Sequence, residues 1–314
     1  MKALVTGGAG FIGSHLVDAL VASGREVRVI DNLASGEQRL SFLESAGVCL
    51  DRVDIRDPEC SALIDSFAPN EIYHLAAQMD VRRSVSDPIY DADVNVLGTL
   101  RVLEGARRVG ARVVSASSGG CIYGEVDPDR LPADENTPKN PDSPYGITKF
   151  VMEEYLRFYR TSYGLQYVNL ALGNVFGPRQ DPFGEAGVVA MFTLRMIDGR
   201  RCSIYGDGEQ TRDFVYVGDV VEAFLAAAGS GDGETINIGT GLQTSVNQLY
   251  AALAEICGVD EAALYEPARP GELQRSSLDN AKARALLGWA PKVELTDGLA
   301  RTVDFIRSQV GRPA

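Results

Sequence analysis

The sequence predicts an α/β protein: a doubly wound parallel sheet carrying a smaller mixed α/β cap. Three observations predict it. A short apolar run, Lys2-Ala3-Leu4-Val5, meets the glycine-rich stretch Thr6-Gly7-Gly8-Ala9-Gly10-Phe11-Ile12-Gly13, and helical apolar spacing continues from Ser14 to Leu20. Strand-like and helix-like runs then alternate as far as Leu172, as in parallel strands joined by crossover helices. Beyond Leu172 the alternation gives way to turns, short strands and helices.

Lys2 to Val5 suits a strand buried on both faces. Glycines 7, 10 and 13 permit a strand-to-helix turn whose backbone N–H groups approach a pyrophosphate at a helix N-terminus. Glu26 to Ile30 reads as a second strand, and Asp31 at its end can accept hydrogen bonds from ribose hydroxyls. Turn and acid together predict a Rossmann-like dinucleotide site. The plain alternative, a tight turn and a surface aspartate, needs both features to coincide by chance. NAD is expected over NADP, because Asp31 repels a 2′-phosphate and no arginine comes immediately after it.

Asn32, Leu33, Ala34, Ser35 and Gly36 form a polar loop beside the expected adenosine. Val48 to Val53 reads as a third strand, running into Asp54-Ile55. Asp57 and Pro58 cap and open a helix to about Phe67. Glu71 to Ala77 is a fourth strand whose small residues let a flat cofactor pass close to the backbone. A long amphipathic helix covers Tyr90 to Arg108. Arg112 to Ala116 is a fifth strand, ending at Ser117-Ser118-Gly119-Gly120. After a loop rich in Asp and Pro comes a second long helix, Tyr145 to Tyr163, and a sixth strand, Gln166 to Leu172. Gly173 to Arg179 is a turn-rich break. The chain beyond it reads as a cap over the carboxyl ends of the strands, where doubly wound folds bind ligands. Two domains are expected: 1–172 for the dinucleotide, with a return segment near 214–240, and 173–314 for a substrate.

Composition excludes several classes. A formal charge of −13 makes the chain a poor general binder of nucleic acid or anionic membrane. No apolar run is long enough to span a bilayer, and no signal-peptide pattern precedes the first strand, so a reduced cytoplasm is expected. The five cysteines form no CxxC pair. His15 and His74, the only histidines, fall inside the strand–helix pattern and read as structural. No metal site is expected.

The chemistry points to Tyr145-Gly146-Ile147-Thr148-Lys149. Tyr145 and Lys149 share one helix face. A free tyrosine has a pKa near 10, so only roughly one in a thousand is ionised at neutral pH. An adjacent ammonium and a positively charged nicotinamide ring stabilise the phenolate, which then serves as general base toward an alcohol.

In these residues the chain resembles the extended short-chain dehydrogenase/reductases, and within them the NAD-dependent nucleotide-sugar epimerases. The likeness spans nearly the whole chain. It includes the opening stretch, Asp31-Asn32, Asp54-Ile55, His74-Leu75-Ala76-Ala77-Gln78, Asn95, Tyr145 to Lys149 and Gly177-Pro178-Arg179-Gln180. In the cap it includes Thr211-Arg212-Asp213-Phe214, Asn237-Ile238-Gly239 and Arg269-Pro270-Gly271-Glu272. The resemblance implies epimerisation at C4 of a UDP-hexose, UDP-glucose to UDP-galactose, through a 4-keto intermediate, with a place in galactose metabolism. It implies that Gly7, Gly10, Phe11, Ile12, Gly13, Leu75, Ala76, Ala77, Gln78 and Asn95 contact NAD together with Asp31 to Gly36, Asp54 and Ile55. It implies further that Tyr145 and Lys149 act on the sugar hydroxyl. Asn174 would meet the sugar or diphosphate, Val188 and Tyr205 would border the uracil, and Arg212 and Arg269 would hold the diphosphate. Surface ion pairing is the plain alternative for these two arginines. The two long helices imply a homodimer.

The sequence departs from the family pattern at Gly119, where many epimerases carry Ser or Thr. Ser118 is the expected proton relay, with Ser117 or a water as alternatives. Gly120 and Cys121 stand where dehydratases and decarboxylases carry acids, which argues against both reactions. Ser276 predicts a roomy pocket around the sugar C2 substituent. Epimerisation of UDP-N-acetylglucosamine or UDP-glucuronate is the alternative reaction. Asp181 and Glu185 lean against the glucuronate. A non-catalytic NAD-dependent sensor has no need of Tyr145 and Lys149.

Overall fold

The structure, a computed structural model, describes residues 1–37, 39–182, 187–269 and 271–310. Its first half alternates as expected: β1 (Lys2–Thr6), α1 (Phe11–Ala22), β2 (Glu26–Ile30), α2 (Leu40–Ser45), β3 (Cys49–Asp51), α3 (Pro58–Phe67) and β4 (Glu71–His74). Next come α4 (Val81–Ser86), α5 (Pro88–Ala92), a π-helical turn (Asp93–Gly98), α6 (Thr99–Val109), β5 (Arg112–Ser118), α7 (Gly119–Ile122), α8 (Pro144–Tyr163) and β6 (Tyr167–Leu172). The second half holds β7 (Asn174–Phe176), α9 (Val188–Ile197), β8 (Ser203–Tyr205), β9 (Thr211–Arg212), β10 (Phe214–Tyr216), α10 (Val217–Ala227) and β11 (Glu234–Ile238). It closes with β12 (Thr244–Ser245), α11 (Val246–Cys257), β13 (Leu264–Glu266), α12 (Ala281–Leu287) and α13 (Leu295–Val310).

Seven parallel strands make the main sheet in the order β11-β6-β5-β4-β1-β2-β3. Strand order reverses between β1 and β4. In doubly wound sheets a ligand crevice opens at such a switch point, beyond the carboxyl ends of the strands. β11 comes from the second half of the chain and pairs with β6. Val220, Ala223 and Phe224 of α10 join Leu16, Val17 and Leu20 of α1 in the core on one sheet face. Ile64, Leu103, Met152 and Leu156 cover the other face. A separate cluster of Phe192, Leu249, Leu253, Leu299 and Val303 with Phe176 holds the cap elements together.

Three expected elements differ. The third strand spans only Cys49–Asp51 rather than Val48 to Val53. The fourth strand stops at His74 rather than at Ala77. Leu75 still donates its N–H to the Thr6 carbonyl (3.0 Å), after which the chain turns toward Gln78. The expected helix from Tyr90 to Arg108 is interrupted by the π-helical turn. Gly98 ends that turn where a Cβ would lie 2.6 Å from Ile55 Cδ1, so the wide turn sits tightly against the end of the β3 segment. Insertions of this kind recur at functional sites.

Candidate active site

The glycine-rich turn closes on itself. Gly7 has φ +74°, and a Cβ there would lie 2.6 Å from the Ala76 nitrogen. On Gly13 a Cβ would lie 2.1 Å from the Gly7 carbonyl oxygen. α1 therefore starts directly against β1 and β4. No side chain caps its N-terminus at Gly10, which leaves the first-turn amides around Phe11, Ile12 and Gly13 to an anion.

Asp31 is buried. Its Oδ2 accepts the Ala9 N–H (2.9 Å) and its Oδ1 the Leu33 N–H (2.8 Å). Burial pushes this carboxyl up, and those two hydrogen bonds oppose the rise. Leu33 takes the left-handed φ of +58°, and Ala34 donates its N–H to Asn32 Oδ1, so the loop through Ser35 and Gly36 turns sharply beside Asp31. Asn32 Nδ2 donates to Asp54 Oδ2 (2.7 Å), and hydrogen bonds from Arg56 hold Asp54 down at about 2.

Sequence reasoning missed Arg39. Its guanidinium is buried across the top of the turn. Nε donates to the Ala9 carbonyl (2.9 Å), Nη2 to Ser35 Oγ (3.3 Å) and Nη1 to the Arg179 carbonyl (3.3 Å). No local pattern marks this arginine, because its partners come from three separate loops. Beyond β4, the Gln78 N–H donates to Asn95 Oδ1 (2.8 Å) and Asn95 Nδ2 donates to the Gln78 carbonyl (2.9 Å). The amide of Asn95 thus holds the Leu75 to Gln78 loop in shape.

The reacting end is built by α8 and the end of β5. Ser143 caps α8 by accepting the Gly146 N–H, and Pro144 opens it, which fixes Tyr145 in the first turn. Lys149 lies one turn on, buried, with Nζ 5.8 Å from the Tyr145 ring centroid and donating to the Ala116 carbonyl (2.9 Å). Burial lowers Lys149 to about 8. Burial pushes Tyr145 well above the usual phenol range, Cys121 and Asp91 add to the rise, and a hydrogen bond with Ser118 opposes it.

Ser118 therefore meets Tyr145. The Ser117 hydroxyl is buried with no partner, as expected for neighbours that point to opposite sides of a strand. Gly119 is sterically committed, since a Cβ there would lie 2.5 Å from Leu278 Cδ1. A side chain at 119 would have to displace Leu278, and the hydroxyl that meets the tyrosine comes from one residue earlier. His74 is buried between Thr6 Oγ1 (2.7 Å) and Thr99 Oγ1 (2.9 Å) and stays neutral down to about 3, because burial disfavours its cation.

The cap brings the remaining residues over this end. Asn174 opens β7 and donates its N–H to the Asp213 carbonyl (2.7 Å). A Cβ on Gly120 would lie 3.5 Å from Ser276 Oγ and 3.9 Å from Asn174 Oδ1, so these three residues face one space. Val188 begins α9. Arg212 Nη2 donates to Glu272 Oε1 (3.3 Å), while the Arg269 guanidinium stacks 3.6 Å from the Tyr205 ring centroid. Both arginines are partly buried, and the ion-pair alternative holds for Arg212, which pairs with Glu272. Glu185 and Pro270 lie outside the described residues. Among the described residues no cluster of His, Cys, Asp and Glu could hold a metal ion, and no helix is long and apolar enough to cross a membrane.

Residues 3–239 match the NAD dependent epimerase/dehydratase family. The chain belongs to that family. It is 48% identical to a UDP-glucose 4-epimerase of Mycolicibacterium smegmatis, over 98% of this chain and 99% of that protein. The solved UDP-glucose 4-epimerase of Thermotoga maritima, with UDP-glucose, superposes with a TM-score of 0.95 at 47% identity, covering 99% of this chain and 100% of that one. The Thermus thermophilus UDP-glucose 4-epimerase in complex with NAD gives a TM-score of 0.91 at 46% identity, covering 98% and 99%. Family membership accounts for the switch-point crevice, the glycine turn and the Tyr145–Lys149 pair together. Those features lie in the matched residues, whereas Arg269 and Ser276 lie beyond them.

Proposed function

We infer that this chain catalyses NAD-dependent epimerisation at C4 of a UDP-hexose, interconverting UDP-glucose and UDP-galactose through a 4-keto intermediate. The observation that carries the reading is Tyr145 at the switch-point crevice, with Ser118 on its hydroxyl and Lys149 one turn away. Similarity to UDP-glucose 4-epimerases along the whole chain supports it.

The residues present fit NAD. The turn at Gly7 to Gly13 has no room for added side chains, which leaves backbone amides to face a pyrophosphate. Asp31 keeps acceptor capacity for two ribose hydroxyls beside the two N–H groups it already binds. Asn32 to Gly36, Asp54 and Ile55 border the adenosine, and Leu75 to Gln78, held by Asn95, form the wall along the dinucleotide. NAD held there would supply the acceptor and donor of the hydride at the sugar carbon. Tyr145, as the phenolate that the Lys149 ammonium stabilises, takes the proton of the 4-hydroxyl as general base and becomes the neutral phenol. Arg212 and Arg269 hold the diphosphate with planar, bidentate donors. Asn174 meets the sugar, and Val188 and Tyr205 border the base. We assign cofactor binding to 1–172 with the 214–240 return segment, and substrate binding to the rest of 173–314.

Gly120 and Cys121 supply no carboxylic acid for elimination or decarboxylation, which favours epimerisation over both. The test is incubation of the purified protein with UDP-galactose and assay for UDP-glucose. A protein that retains NAD yet converts neither sugar would overturn the reading in favour of a sensor. Gly120 and Ser276 leave space around the substrate, and some turnover of UDP-N-acetylglucosamine is expected in the same assay. Good UDP-glucose activity with no turnover of the N-acetylated sugar would contradict a roomy pocket.

Ser118 passes the proton between Tyr145 and the 4-hydroxyl, which approaches from two directions in the two epimers. Ser118→Ala is expected to lower kcat at least about tenfold with NAD content unchanged. If Ser117→Ala were impaired instead, the relay would sit one residue back. If neither substitution slowed turnover, a water would carry the proton.

We further infer a homodimer. Val85, Ile89, Leu97, Ile147 and Phe158 expose apolar surface on the helical segments around α5, α6 and α8. A monomer by light scattering would contradict it. All five cysteines are free thiols, which suits a reducing cytoplasm.

A further inference from the structure

Asp91 of α5 is fully buried. Its Oδ1 accepts from Gln78 Nε2 (2.9 Å) and Asn95 Nδ2 (3.1 Å), and its Oδ2 from Thr148 Oγ1 (2.9 Å). Among the described residues no lysine or arginine pairs with it. A buried carboxylate with no cation in ion-pair contact is costly, and a neutral residue would serve the packing of α5 at lower cost; Lys149 is the cation that its charge reaches. The donors explain what the charge is next to. Thr148 lies between Tyr145 and Lys149 on α8, and its hydroxyl also lies 3.0 Å from the Tyr145 carbonyl oxygen. Gln78 closes the loop after β4, and Asn95 sits in the π-helical turn.

We propose that Asp91 is a positioning residue for the Tyr145–Lys149 pair, clamping α8 to the loop after β4 through Thr148 and Gln78 and placing its charge beside the pair. The charge acts on both members in one direction. It raises Tyr145 and it raises Lys149. At Lys149 this opposes burial, which otherwise draws the ammonium toward neutrality. A neutral lysine cannot stabilise a phenolate, so Asp91 extends the working range of the pair upward in pH. The other titratable groups facing the pair are Cys121 from α7 and His74 from β4. His74 is neutral above about 3, and burial pushes the Cys121 thiol up, so neither changes charge near neutral pH. Arg212 faces Cys121 from the cap and stays cationic throughout.

Asp91→Asn separates charge from geometry. The amide oxygen can still accept from Gln78 and Asn95. The amide nitrogen can donate to Thr148 Oγ1, whose own proton then goes to the Tyr145 carbonyl. The expected result is a folded, NAD-loaded enzyme whose kcat–pH bell moves to lower pH on both limbs, by about half a unit or more. The phenolate absorbance titration, with Tyr145→Phe as blank, is expected to move the same way. Limbs that stay in place, or move to higher pH, in a variant with wild-type NAD content would overturn the proposal. Thr148→Val keeps the charge and cuts the hydroxyl's ties to Asp91 and to Asn95 Nδ2 (3.2 Å), which together join α8 to this cluster. Here kcat is expected to fall at least about fivefold with both limbs unmoved, and a wild-type kcat would overturn the clamp even if Asp91→Asn did not fold. The proposal rests on Tyr145 as the base. Full turnover by Tyr145→Phe would remove that reading itself, whereas an inactive Tyr145→Phe with unmoved Asp91→Asn limbs removes only the role of Asp91.

Discussion

Tyr145→Phe is expected to lower kcat by about a thousandfold while the protein still purifies with NAD. The substitution keeps the ring, which packs in the first turn of α8 under the Ser143 cap, and removes only the ionisable oxygen. Ser118 hydrogen-bonds that oxygen, and Lys149 holds its buried Nζ 5.8 Å from the ring centroid. Without cofactor, burial holds the phenol far above the pH of any physiological reaction. The Lys149 ammonium and, when NAD is bound, its positive nicotinamide ring would both favour the phenolate. Loss of the oxygen leaves Ser118, a far weaker base, and no group to receive the proton. The checks are steady-state turnover of UDP-galactose and quantitation of NAD released on denaturation. Wild-type turnover in a variant with full NAD content would remove Tyr145 from the reaction.

Gly13→Ala is expected to destabilise the protein by about 3 kcal/mol or more and to yield enzyme without NAD. The added Cβ would lie 2.1 Å from the Gly7 carbonyl oxygen and 2.8 Å from Gly8 Cα, contacts that no rotamer relieves because both partners are backbone. Retreat is blocked as well, since Gly7 already lies so close to Ala76 that a Cβ on it would fall within 2.6 Å of that nitrogen. The turn can open only by moving α1 away from β1, which displaces the amides that would face the pyrophosphate. Cofactor loss and instability should therefore appear together in a thermal melt and an NAD assay of the same preparation. A Gly13→Ala protein with bound NAD and an unchanged melting temperature would show that the turn is looser than its contacts imply.

The local patterns in the chain were sufficient for the first six strands, for the glycine turn and for the acid at Asp31, because each depends on residues adjacent in sequence. The same holds for Tyr145 and Lys149, which a helix places on one face whatever packs around it. Ser118 was legible only as one of three candidates. Strand alternation separated it from Ser117, and the contact between Gly119 and Leu278 brings together residues far apart in the chain. Arg39 and Asp91 were not legible at all. Arg39 takes its three acceptors from Ala9, Ser35 and Arg179, and Asp91 takes its donors from Gln78, Asn95 and Thr148. No periodicity encodes such partners, because they meet only after the loops at the switch point have closed. The strand β11 is a further case. Its sequence, Glu234-Thr235-Ile236-Asn237-Ile238, alternates only weakly, and its place beside β6 depends on the chain returning across the sheet after the cap has begun. The sequence by itself determined the first six strands, the glycine turn and the shared face of Tyr145 and Lys149, all written in short-range spacing. Tertiary structure alone decided which serine meets the base and which buried charge stands behind it, because those choices rest on distances between segments that only packing sets.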